Sequence, residues 1–127
     1  MNRTILSMLL IAAALATVAV AARQPSAEDE RRAAITLMRA INTGENAVAS
    51  KNGGKYVSLL ELIEHSAMTR VRPNITVSGN TFTHQGAQIR LALSADATQY
   101  IVTSVSPSGV AAFTDERGVI YTGESLK

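Results

Sequence analysis

Residues 26–50 read SAEDERRAAITLMRAINTGENAVAS, and the reading of this stretch decides how the rest of the chain must be arranged. Ala34, Leu37, Met38, Ile41 and Val48 fall at helical spacing and share one stripe. Ser26 stands where a helix N-cap belongs. Glu28, Asp29 and Glu30 follow in the first turn, where carboxylates meet the positive end of the helix dipole. A long helix with a single apolar stripe needs a second layer to bury that stripe. Gly44 is expected to weaken the helix interior by about 1 kcal/mol relative to Ala. Glu45 interrupts the stripe. Its side chain is expected to reach the helix edge or pair with a cation, the other reading being a functional carboxylate.

Downstream, Asn52-Gly53-Gly54 is a flexible turn. Ser58 and Glu61 form a capping-box pattern for a second, short helix over 58–66, with Leu59, Leu60, Leu62 and Ile63 on its buried side. Pro73 stops helical continuation, and extended structure begins over 74–78. Ser78-Gly79-Asn80 is a turn signal. Residues 88–94 alternate, with Ile89, Leu91 and Leu93 on one face and Arg90, Ala92 and Ser94 on the other. Residues 100–106 are a β-branched run, and Pro107-Ser108-Gly109 turns the chain. Residues 110–114 and 119–122 flank a hairpin loop ending at Gly118. The pattern predicts an α+β domain: a long N-terminal helix and a short second helix packed on an approximately four-stranded antiparallel β-meander.

Upstream, Asn2 and Arg3 precede an apolar stretch over 5–20 that only Ser7 and Thr17 interrupt, and Ala19-Val20-Ala21 is a small-x-small pattern. This is the layout of a secretory signal peptide. Residues 1–22 are expected to be removed, with cleavage after Ala21 or Ala22, leaving a single domain over 23–127. The competing reading is an uncleaved anchor: sixteen to eighteen helical residues span about 24–27 Å, short of a bilayer core of about 30 Å. The expected location is periplasmic or extracellular. A retained leader would hold the domain at the inner membrane, facing the periplasm.

Composition excludes several function classes. The formal charge is only +2, from 12 basic against 10 acidic residues scattered along the chain. Nucleic-acid binding wants a clustered basic face. There is no cysteine, which removes disulfides, thiolate metal sites, cysteine nucleophiles and a lipoprotein acyl anchor.

Gly54-Lys55-Tyr56-Val57-Ser58-Leu59-Leu60-Glu61-Leu62 resembles the Gly-x-Tyr-x-x-Leu linker that follows the helix of type IV pilins and pseudopilins, the subunits of pili and of type II secretion systems. Arg39-Ala40-Ile41-Asn42-Thr43 is similar to the end of that helix. Tyr100-Ile101-Val102, with Pro107, Gly109, Phe113, Asp115, Gly118, Val119 and Ile120, is similar to the closing hairpin of such proteins. The resemblance covers residues 31–122. It implies a pilin-like globular domain with an assembly role and a protein partner in the cell envelope, among pilus or secretion components. The prepilin N-terminal motif is missing: no glycine occurs before Gly44, and residues 5–20 contain no acid.

The search for chemistry yields no assigned catalytic, cofactor-binding or metal residue. Glu61 and His65, four apart, could share a helix face and a cation, but zinc wants three or four ligands. His84 is distant in sequence. Asp115 and Glu116 beside Gly118 could offer oxygens to calcium, although an ordinary hairpin turn explains them. Ser108 lies in a turn, and no Gly-x-Ser-x-Gly elbow exists. Asn52-Gly53-Gly54-Lys55 lacks the Walker spacing and follows a helix rather than a strand. The expectation is an exported, non-enzymatic interaction module without cofactor or nucleic-acid partner. The alternative is a freestanding periplasmic binding protein or enzyme inhibitor.

Overall fold

The computed structural model describes residues 25–124. The expected leader over 1–22 lies outside the described residues. Helix α1 spans Ala27–Lys51. Its start is a capping box: the Ser26 hydroxyl accepts the Asp29 N–H at 3.1 Å, and the Asp29 carboxylate accepts the Ser26 N–H at 3.2 Å. The end is a Schellman-type closure, in which the Gly54 N–H donates to the Ala49 carbonyl at 2.9 Å. Gly53 and Gly54 have φ of +63° and +80°, which glycine adopts without strain. Leu37, Met38 and Ile41 are fully buried, Ala34 is buried, and Val48 is half-buried against the same core.

The second layer is a six-stranded antiparallel meander, with strands adjacent in chain order: β1 Ile75–Ser78, β2 Thr81–His84, β3 Ala87–Leu93, β4 Tyr100–Val105, β5 Val110–Asp115 and β6 Tyr121–Glu124. This corrects the expectation of about four strands beside a second helix. Thr81–His84 has β-branched threonines facing one way and Phe82 and His84 the other. A polar inward residue hides the alternation. Gln85 and Gly86, at φ of +50° and +83°, make the tight turn into β3. β6 begins at Tyr121 rather than 119 because the Val119 carbonyl accepts the Thr114 hydroxyl at 3.0 Å and belongs to the hairpin loop.

The expected helix over 58–66 shrinks to the single turn α2, Leu59–Leu62, followed by 3-10 turns at Ser66–Met68 and Arg72–Asn74. The Ser58 cap is present, its hydroxyl accepting the Glu61 N–H at 3.4 Å. Competition from side chains ends the helix. Arg72 donates to the carbonyls of Ile63 at 2.7 Å and His65 at 3.0 Å, and the His65 ring accepts the Ala67 N–H at 3.0 Å, starting a new turn. Gly44 gains a role here. A Cβ at this position would stand 2.9 Å from Leu62 Cδ1, so glycine lets α2 lie close on α1.

The core lies between α1 and the inner sheet face, with Ile89, Tyr100, Val102 and Ala112 fully or nearly buried. A polar chain crosses it. Tyr100 donates its hydroxyl to Asn42 Oδ1 at 2.6 Å, and Asn42 Nδ2 donates to Thr114 Oγ1 at 2.9 Å. Satisfied buried networks of this kind fix one relative placement of helix and sheet. Among the described residues no helix is long and apolar enough to cross a membrane.

Candidate functional site

α1 covers one face of the sheet. On the other face, the register aligns Arg90, Thr103, Phe113 and Tyr121 in one row across β3 to β6. Gln88, Val105, Ala111 and Gly123 form the row on one side, and Ala92, Ile101 and Asp115 the row on the other. The apolar members gather on β4 to β6. Ile101, Val105 and Tyr121 are 48%, 50% and 60% exposed, and the Phe113 and Tyr121 rings lie 6.1 Å apart in a tilted pair. A shallow apolar depression runs between Val105, Ala111, Phe113, Tyr121 and Gly123.

Charges ring this patch. Arg90 is exposed on β3. Asp115 accepts the Arg117 N–H at 3.0 Å and pairs with its guanidinium at 3.0 Å. Those bonds, the backbone one first, hold the Asp115 carboxyl below its usual range. β6 is exposed along its whole length and forms one sheet edge. Its end is fastened to α1 by Arg31, which reaches Glu124 at 2.7 Å. An apolar centre, a charged rim and an open edge strand together suit contact with another protein.

The other residues singled out by sequence are scattered. Glu61 is exposed on α2, whereas His65 lies beyond its end with one ring nitrogen engaged by Ala67, so the two do not share a helix face. Ser108 donates its hydroxyl to Glu30, linking the β4–β5 turn to α1. His84 is buried on β2. Residues 52–55 form the helix cap. Among the described residues there is no group of three or more His, Cys, Asp or Glu able to hold a metal.

Glu45 corrects its expectation most. It neither reaches the helix edge nor meets a cation. It is fully buried, and its Oε2 accepts the Val57 N–H at 3.0 Å while Oε1 has no partner among the described residues. Burial first, and the charge of Glu61 to a lesser extent, push its pKa up to about 7 against the Val57 bond, which lowers it.

The outer patch escaped sequence reasoning, apart from Arg90. Apart from Ser104, residues 100–105 are apolar or β-branched on both faces, so inward Tyr100 and Val102 cannot be told from outward Ile101 and Val105 by alternation. No protein-family model, curated protein or solved structure matches the chain.

Proposed function

We propose that the chain is an exported, non-enzymatic protein-interaction module of the bacterial cell envelope, of the pilin and pseudopilin kind. It works by presenting the outer face and edge of β4 to β6 to a partner within a pilus or secretion assembly. The observation that carries this reading is the apolar patch of Ile101, Val105, Phe113 and Tyr121, which no described element covers, beside an exposed edge strand. Such a patch, rimmed by charge, marks recognition surfaces. An edge strand can add a partner's strand by backbone hydrogen bonds, with side chains giving specificity. Export rests on the leader motif in the sequence.

The test is retention of envelope proteins by the immobilised mature domain. Ile101→Asp, Tyr121→Asp and Arg90→Glu are expected to lower retention of the same partner by about tenfold or more, since each places a wrong charge on the contact. Melting temperatures should stay close to wild type, because these side chains are exposed. Glu61→Ala and His65→Ala should bind as wild type does. Loss of binding in the latter pair, with the outer-face variants unaffected, would refute the reading. N-terminal sequencing of exported protein is expected to begin at Ala22 or Arg23. Intact Met1 in the membrane fraction would mean an anchored module.

A further inference from the structure

On the helix side of the sheet, away from the outer patch, a cleft of about 60 Å³ opens between the first turns of α1 and the ends of β2 to β5. Its polar lining is Asp29, Glu30, His84, Gln85, Ser104 and Ser106. Short apolar walls come from Ala33, Ala34, Ala87 and Val110. His84 is 3% exposed, lines this space and makes no hydrogen bond to any described residue. A ring whose nitrogens have no partner among the described residues, and are not sealed away from the cleft, can accept a hydrogen bond from a ligand that enters it.

The charges state what that is. Glu30 Oε2 accepts the hydroxyls of Ser106, at 2.6 Å, and Ser108. Those two bonds hold its carboxyl below the usual range, so it is ionised at neutral pH. Its Oε1 takes no hydrogen bond from a described residue. Burial lowers the His84 pKa, leaving a neutral ring with a lone pair to offer. Among the described residues no Lys or Arg lines the cleft. A helix N-terminus usually favours anions, but Asp29 already caps this one, and an anion would face two carboxylates. A bare metal ion would need more ligands than the described residues gather here.

We propose that this cleft binds the ammonium end of a primary alkylamine, held by the Glu30 carboxylate and the His84 imidazole. An ammonium brings three N–H donors for these acceptors and the serine oxygens, and its first methylenes meet the alanine and valine walls. At about 10–15 Å³ per water, the space of about 60 Å³ holds roughly four to six waters, enough for an ammonium and its first two or three carbons. The amine is a free small molecule or the end of a lysine side chain. The site stands independently of the outer-face reading, because it lies on the opposite side of the sheet.

The test is an NMR titration of the mature, isotope-labelled protein with n-propylammonium, at constant ionic strength, with propionate and n-propanol as comparisons. The His84 ring signals are expected to shift saturably with propylammonium alone. His65 outside the cleft serves as the internal reference. Glu30→Gln should weaken binding by about tenfold or more through loss of a charge-assisted hydrogen bond, while Glu61→Gln leaves it unchanged. Should Glu30→Gln disturb the fold, as its amide spectrum would reveal, His84→Phe provides the second variant, with the reporting signals read from Ala34 and Ala87. Nα-acetyl-lysine methylamide separates the sources: shifts like those of propylammonium indicate a lysine side chain, and exclusion indicates a free amine. Shifts that do not saturate, that propionate reproduces, or that survive both substitutions would overturn the proposal.

Discussion

Ile41→Ala is expected to lower the free energy of unfolding by about 2–5 kcal/mol, whereas Ile101→Ala should change it by only about 0.5 kcal/mol. The two residues are the same amino acid in regular structure, so propensity differences are small beside burial. Ile41 is fully buried in the core between α1 and the sheet. Removing its outer atoms loses their transfer free energy and leaves a cavity in a close-packed core that can close only in part. Ile101 is 48% exposed, on the sheet face that no described element covers. Its truncation forfeits little transfer energy, and no cavity forms. Denaturant melts of both variants decide the matter. Equal costs would mean that the outer face is covered in the protein as purified, for instance by self-association.

How much of this was legible follows from where the periodic signal is clean. α1 could be read because a 25-residue segment carries its stripe, cap and acidic first turn together, each supporting the others. The sheet was legible only as a class. Strands of four residues such as Thr81–His84 carry too few repeats to establish a period, and a buried His84 removes half of the contrast. The second helix failed because capping patterns predict where a helix starts and not how far it runs. Its length is set by Arg72, nine residues beyond the Ile63 carbonyl that it binds. The outer patch and the cleft are both products of register. Phe113 meets Tyr121, and Glu30 meets Ser106, through pairings that no local spacing encodes. Glu45 was visible as an anomaly in an apolar stripe, but the partner that explains its position, the Val57 backbone, has no side-chain signature.

That anomaly leads to the second large effect, a loss of stability as pH rises through the weakly acidic range. Glu45 is enclosed, with one oxygen hydrogen-bonded and the other without a partner among the described residues. An ionised carboxylate in such a place lacks solvation, so the folded state holds the proton and the pKa rises from the ordinary 4.5 to about 7. The folded state therefore binds more protons than the unfolded chain between those two values. The stabilisation is fully present below pH 4.5, falls as pH rises through the window, and is lost above pH 7. At about 1.4 kcal/mol per pH unit, the loss amounts to about 3 kcal/mol. Groups facing Glu45 reinforce the effect: Glu61 adds negative charge, and Tyr100 stays neutral because burial, then Glu45 itself, raise its pKa. His84 acts the other way, since burial lowers its pKa and favours folding as pH rises. Wild type alone therefore mixes two opposed slopes, and the comparison with Glu45→Gln isolates one of them. The glutamine carbonyl can still accept the Val57 N–H, and its amide does not titrate. The difference in unfolding free energy, variant minus wild type, should rise by about 3 kcal/mol between pH 4.5 and pH 8. The buried amide N–H groups offset the variant by a constant amount, about 1–3 kcal/mol, without altering that slope. Denaturant melts at a series of pH values read it directly, and a difference that stays flat across the window would mean that Glu45 is ionised in the folded protein and has found a counter-charge or water.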